Sequence, residues 1–114
     1  MKVVPRPKPD FKNIKYGVQL YCGDVVAVLK ELPDECIQMC CTSPPYWGLR
    51  SYIADGDPLK PLEIGFEPTP DSYVAKMVEV FREVRRLLRK DGTLWLNLGD
   101  SYYNYRPGLG QAIC

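Results

Sequence analysis

Ile37-Gln38-Met39-Cys40-Cys41-Thr42-Ser43-Pro44-Pro45-Tyr46-Trp47 is an apolar run that ends abruptly in a hydroxyl, two prolines and two aromatics. The run Ile37 to Cys41, bounded by loop signals, reads as a short buried strand. In open α/β sheets ligands sit beyond the carboxyl ends of the strands, so residues 43 to 47 fall where a site is expected. Each proline fixes its own φ, lacks an N–H and pushes the preceding residue toward extended geometry. The carbonyls of Ser43 and Pro44 therefore point in set directions with less intramolecular competition for them, and Tyr46 offers a flat face beside them. A planar ring carrying an exocyclic amino group matches that layout: the ring stacks on Tyr46 while the NH2 donates to the Ser43 hydroxyl and the Pro44 carbonyl. As such a nitrogen attacks an electrophile it gains positive charge, and acceptors already aimed at its hydrogens then stabilise the transition state more than the ground state. Taken alone, the four residues Ser43, Pro44, Pro45 and Tyr46 are explained equally well by an ordinary Pro-Pro turn with a half-buried tyrosine.

Upstream, Val18 to Cys22 alternates in the manner of a strand and breaks at Gly23-Asp24. Asp24 reads as the N-cap of a helix carrying Val25, Val26, Val28, Leu29 and Leu32, closed by Pro33-Asp34. Met1 to Lys15 holds Lys2, Arg6, Lys8, Lys12 and Lys15 against Asp10, with prolines at 5, 7 and 9. No packed element is expected there, and residues 1–16 read as an extended basic, proline-rich arm.

Downstream, Gly48 to Thr69 is a long loop rich in Gly, Pro and Asp, with room to act as a lid. Arg50 and Lys60 in it are placed to approach a nucleic-acid backbone, although plain exposure accounts for both charges as well. Thr69-Pro70 reads as N-cap and first helical position, and Tyr73, Met77, Phe81, Val84 and Leu88 recur as a core stripe of a helix reaching Lys90. Arg82, Arg85, Arg86, Arg89 and Lys90 read as a solvated face that complements the helix dipole. Gly92 then stops the helix, and Thr93 to Leu98 forms a strand ending in Gly99-Asp100-Ser101. Tyr102, Tyr103 and Tyr105 either stack on a base or cover apolar surface. Strand ends at Asp24, Ser43 and Asp100 are how an α/β sheet assembles one site from distant parts of a sequence.

The 114 residues suffice for one small domain. With 46% hydrophobic and 25% charged residues and no apolar run long enough to cross a membrane, the composition is that of a globular, cytoplasmic protein. Met1 to Pro9 is polar and unlike a signal peptide. Five cysteines, Cys22, Cys36, Cys40, Cys41 and Cys114, make neither a Cys-x-x-Cys pair nor a disulfide framework, so reduced thiols in strands are expected. With no histidine in the chain, mixed zinc sites, imidazole bases and the usual triads are excluded, and no metal site is expected.

Thr42-Ser43-Pro44-Pro45-Tyr46-Trp47-Gly48-Leu49-Arg50 resembles the catalytic motif of DNA amino-methyltransferases, which methylate cytosine N4 or adenine N6. The similarity extends to Gly23-Asp24, to the helical stretch Tyr73 to Lys90 and to Asp91 through Tyr102, and so covers nearly the whole chain after residue 17. The order resembles the permuted, beta-type arrangement, with the catalytic half first and the glycine-rich cofactor motif last. The resemblance implies a partial Rossmann-like, three-layer α/β fold of the class I S-adenosylmethionine-dependent kind, with residues 17–114 as its catalytic half. It implies Ser43, Pro44, Pro45 and Tyr46 as catalytic residues and Asp24 as an acceptor for the amino group of the cofactor's adenine. Double-stranded DNA is the implied substrate, with the target base flipped out to reach the methyl donor. Serine at the first motif position favours cytosine N4. In such a sheet two further strands separate the first and second strands seen here and carry a Phe-x-Gly-x-Gly-type loop, to which Gly108-Leu109-Gly110 does not correspond. The chain is therefore expected to be a truncated enzyme or one half of a split one, its cofactor-binding half and target-recognition domain lying elsewhere. Rival readings are an RNA or protein-amide methyltransferase and a non-catalytic remnant.

Overall fold

A computed structural model describes residues 8–13 and 15–99. In chain order the elements are β1 (Phe11–Asn13), β2 (Val18–Leu20), α1 (Val25–Glu31), β3 (Ile37–Thr42), a 3-10 turn (Lys60–Leu62), α2 (Pro70–Leu87) and β4 (Leu88–Leu96). The chain is thus a small α/β protein in which strands and helices alternate. It divides into two compact units, residues 1–40 with 79–94 and residues 41–78 with 95–114.

In the first unit β1 and β2 form an antiparallel pair, with Phe11 opposite Leu20 and Asn13 opposite Val18. The sequence gives no packed element before residue 16, and this hairpin is the exception. Gly17 at φ 65° supplies the left-handed residue that the tight connection requires, and the Asn13 side chain accepts the Tyr16 N–H at 3.2 Å. The Asp10 carboxylate accepts the Cys22 N–H at 2.7 Å just beyond β2, which ends at Leu20, two residues earlier than the alternation suggests.

α1 begins as the sequence indicates. Asp24 is its N-cap, accepting the Ala27 N–H at 2.9 Å, and Val26 is its buried residue. Its C-terminal carbonyls are held by Arg86, which donates to the Leu29 oxygen at 2.8 Å and to the Leu32 oxygen at 2.9 Å. The same guanidinium pairs with Glu83 and Asp34. Arg86 is therefore not part of a solvated basic face, as its neighbours Arg82 and Arg85 are. It closes the end of a helix some fifty residues away in sequence, and its pKa is raised first by the Asp34 hydrogen bond and then by that to Glu83.

α2 buries Met77, Val80, Val84 and Leu87 along one stripe, at the spacing of three and four that keeps side chains on one face. The expected Met77 and Val84 are in it, while Phe81 is half-buried and Leu88 already belongs to β4. The helix does not run on to Gly92. It ends at Leu87, and Leu88 to Gly92 are the opening of β4. Gly92 serves close approach instead: a Cβ there would stand 2.9 Å from the Arg89 carbonyl oxygen and 3.1 Å from that of Gln38.

β3 and β4 pair with each other. Gly92 lies against Gln38, and further along the Asn97 N–H donates to the Thr42 carbonyl at 3.0 Å, so residue numbers rise together and the strands are parallel. With α2 between them they make a βαβ unit. β3 is not the buried strand its apolar run suggests: none of its residues is buried and Met39 is 58% exposed. A strand needs a neighbour on each edge and a layer on each face to become interior, and β4 is its one hydrogen-bonded neighbour among the described strands. Cys22, Cys36, Cys40 and Cys41 make no disulfide among the described residues, and Cys40 and Cys41 lie in a strand. No helix among the described residues is long and apolar enough to cross a membrane.

Candidate functional site

Residues 43 to 52 surround an open cleft of about 480 Å³, lined by Ser43, Pro44, Pro45, Tyr46, Leu49, Arg50 and Tyr52. All of them belong to the second unit. The cleft follows directly from the end of β3, where Thr42 is still held in the ladder by Asn97. Beyond it the prolines remove two N–H donors, so ladder pairing stops.

The corner is fixed from outside. The Tyr73 hydroxyl, in the first turns of α2, donates to the Pro45 carbonyl at 2.8 Å, and desolvation raises its pKa above the ordinary phenol value. Trp47 Nε1 donates to the Glu67 carbonyl at 2.8 Å, and the Gly48 N–H donates to the Gly65 carbonyl at 2.7 Å. Gly65 is buried with φ 104°, and a Cβ on it would come within 3.0 Å of the Tyr46 carbonyl oxygen. On the other side Gly99 packs on the ring of Tyr46, where a Cβ would stand 2.6 Å from a ring carbon. The ring is thereby held on a surface of bare backbone.

These contacts consume the Pro45 carbonyl and leave others open. Among the described residues neither the Ser43 hydroxyl nor the Pro44 carbonyl has a hydrogen-bond partner, and Ser43 is exposed while Tyr46 is half-buried. The site thus offers two unoccupied oxygen acceptors beside an aromatic face in an open cleft with room to admit a nucleobase. Pro45 enters as a fixed corner, its carbonyl already occupied.

The long loop after the corner is closed at its base by the Gly48 to Gly65 bond and filled by Glu63. One Glu63 oxygen accepts the N–H groups of Tyr52 and Ile53, and the other accepts the Ser51 hydroxyl and pairs with Lys60 at 3.0 Å. The Glu63 side chain is 4% exposed. Its pKa is lowered to about 2, first by the Tyr52 N–H and then, against desolvation, by Lys60, Ile53 and Ser51. Lys60 also donates to the Ile53 carbonyl at 2.8 Å and to the Ser51 hydroxyl, and its pKa is raised chiefly by Glu63. The sequence left Arg50 and Lys60 open to either a nucleic-acid contact or plain exposure. Lys60 is instead an internal counter-ion, and of the two only Arg50 lines the cleft.

Asp24 lies in the first unit. One of its oxygens caps α1 and the other has no partner among the described residues, which leaves it open to an amino group. The 114 residues contain no Phe-x-Gly-x-Gly sequence. Asp100, Ser101, Tyr102, Tyr103, Tyr105, Gly108-Leu109-Gly110 and Cys114 lie outside the described residues, as do residues 1–7 and 14 of the basic arm. The sequence reading missed Tyr73, Glu63 and Glu67. The one available signal was a tyrosine where a core stripe asks only for an apolar ring.

Comparison with known proteins shows the family. Residues 37–113, more than half of the chain, match the family described as DNA methylase, the N6 and N4 amino-methyltransferases. The chain belongs to that family. It is 46% identical over 80% of its length to the Type II methyltransferase M.SfiI of Streptomyces fimbriatus, and 43% identical over 90% to M.XycI of Xanthomonas campestris pv. cyanopsidis. It is 42% identical over 81% to M.Cfr9I of Citrobacter freundii. The matched segment spans only 20%, 31% and 29% of those relatives, respectively. No solved structure matches the chain.

Proposed function

We propose that this chain is the catalytic half of a site-specific DNA methyltransferase, which acts on the exocyclic amino group of a base flipped out of the duplex. The observation that carries the reading is the pair of unoccupied acceptors, the Ser43 hydroxyl and the Pro44 carbonyl, beside the half-buried ring of Tyr46. A flipped base stacks on Tyr46 and donates its two amino hydrogens to those oxygens, which aligns the nitrogen lone pair away from them. S-adenosylmethionine, when bound, supplies an electrophilic methyl group. The two acceptors stabilise positive charge as it develops on the nitrogen, and they are held by the Tyr73 and Gly65 contacts before the base arrives, so little reorganisation is needed. Serine at position 43 favours cytosine N4 over adenine N6.

The fold proposed for the whole protein is a Rossmann-like, three-layer sheet in the permuted order. That order places further strands between β2 and β3, which are not paired with each other among the described residues. The glycine loop and the target-recognition segment then belong to the remaining length of the relatives, and the open oxygen of Asp24 faces the cofactor's adenine amino group. Cytoplasmic restriction-modification is the setting this reading implies.

Labelled-methyl transfer from S-adenosylmethionine to unmethylated DNA tests the proposal. The purified 114-residue chain should transfer none. Joined to the cofactor-binding half of the Xanthomonas relative, it should methylate DNA at cytosine N4, as nucleoside analysis would show. Transfer by the chain alone, or none by the joined protein when the intact relative is active, would overturn the reading.

A further inference from the structure

We infer that Arg50 holds a phosphate of the DNA strand that carries the target base, as the group that fixes where along the strand a nucleotide enters the Tyr46 cleft. The inference rests on the proposed function and adds to it a residue outside the motif of acceptors. Arg50 lines the same cleft as Ser43 and Tyr46 and is exposed. Among the described residues it has no carboxylate partner, whereas Lys60, Arg86 and Arg89 each have one. A guanidinium left unpaired on the rim of that cleft has the charge and the forked donors that a phosphate takes.

The backbone on both sides of Arg50 is anchored. On one side the Leu49 N–H donates to the Tyr46 carbonyl at 3.4 Å and Gly48 is bonded to Gly65. On the other, Ser51, Tyr52 and Ile53 all bond to Glu63, whose second oxygen is paired with Lys60. The Glu63–Lys60 pair therefore sets the position of the segment from which Arg50 reaches out. This gives the pair a reason to be in a loop that otherwise has little apolar burial. Phosphate contacts fix register on nucleic acid without reading sequence. A flipped nucleotide needs such a contact, because its own base no longer holds it in the stack.

The test is DNA binding as a function of salt, by fluorescence anisotropy on a short duplex with a mismatched target base. Both the 114-residue chain and its fusion to a relative's cofactor-binding half would be measured. Arg50→Ala should lower the magnitude of the slope of log K against log salt by about 0.9, the loss of one duplex phosphate contact. Arg50→Lys should keep the slope, and Arg82→Ala, on the exposed face of α2, should leave it at the parent value. Replacing one phosphate beside the target nucleotide by neutral methylphosphonate should weaken the parent, and should have no further effect on Arg50→Ala. An unchanged slope in Arg50→Ala, additive effects at every phosphate, or a parent that binds no DNA would overturn the inference. A fusion that methylates DNA while Arg50→Ala keeps the parent slope removes this inference and leaves the proposed function standing. Arg50-dependent binding without methyl transfer does the reverse.

Discussion

Two polar corners follow two strands in this molecule, and they dispose of their oxygens differently. After β2, Gly23-Asp24 leads straight into α1, and one Asp24 oxygen is taken by the Ala27 N–H of the helix it starts. After β3, Ser43-Pro44-Pro45 leads into a loop, and the prolines supply no donors of their own. What is satisfied there is the Pro45 carbonyl, by a tyrosine 28 residues on, while Ser43 and Pro44 keep their acceptors open among the described residues. A residue of the right type at a strand end is common. The corner that remains chemically available is the one that neighbouring segments hold rigid without using the groups that matter.

The largest way to break this comparison is to remove the stacking face. In a protein completed with a cofactor-binding half, Tyr46→Ala should lower turnover about tenfold to a hundredfold. Stacking of a base on an aromatic is worth on the order of 1 to 3 kcal/mol, and each 1.4 kcal/mol is a factor of about ten. Cofactor affinity should change little. Single-turnover methyl transfer on a defined duplex, with S-adenosylmethionine binding measured separately, checks both parts. Parent-rate transfer by the variant would make the second corner as structural as the first.

Gly65→Ala acts on the same corner through its support. At φ 104° an alanine is strained, and its Cβ would press within 3.0 Å of the Tyr46 carbonyl oxygen. The expected cost is roughly 1 to 2 kcal/mol of stability, read as a lower urea midpoint, together with loss of DNA binding at the cleft. Gly56→Ala, where φ is 87° but open space surrounds the Cβ, should cost stability by its conformation alone and leave binding intact.

The sequence made the corners visible and hid what holds them. Asp24 as an N-cap, the end of β3 just before Ser43, and Pro70 as the first residue of α2 follow from local chemistry that acts within a few residues, and all three stand in the structure. Arg86 closing α1, Tyr73 holding Pro45 and Glu63 pairing Lys60 depend on which segments meet, and no local pattern encodes that. The end of α2 was misplaced for a related reason. Gly92 carries a helix-stop signal, but here it permits a close approach to Gln38 that only pairing with β3 creates. The largely apolar run of β3 reads as a buried strand, which one paired neighbour does not provide.

The loop that carries Arg50 sharpens the comparison through pH, because its support is a charge. Glu63 has its folded pKa lowered to about 2 from an ordinary value of 4.5. A lowered carboxylate contributes stability that is fully present above the unfolded pKa and is lost as pH falls through the folded one. The loop should therefore loosen between about pH 4.5 and pH 2. Glu63→Gln should remove this part of the acid dependence, so that the melting temperatures of parent and variant converge across that window. The comparison is made at fixed ionic strength by circular dichroism. A constant difference from pH 7 to pH 2 would show that the Glu63 charge does not set the loop.

The smallest effect tests the first corner, where the capping role of one carboxylate is joined by the cofactor role proposed for it. Asp24→Ala removes the acceptor for the Ala27 N–H and should cost about 1 kcal/mol, the usual value for an N-cap. Asp24→Asn should cost almost nothing in stability, since asparagine caps as well as aspartate, with its side-chain carbonyl taking the same N–H. The amide does, however, replace the open oxygen by an NH2 or a neutral carbonyl, and it removes the charge that attracts an amino donor. Urea unfolding of the chain should therefore rank parent and Asn together above Ala, while S-adenosylmethionine binding by the completed protein should rank parent above both. If Asn binds the cofactor as the parent does, capping is the whole function of Asp24, and only the corner after β3 takes part in the chemistry.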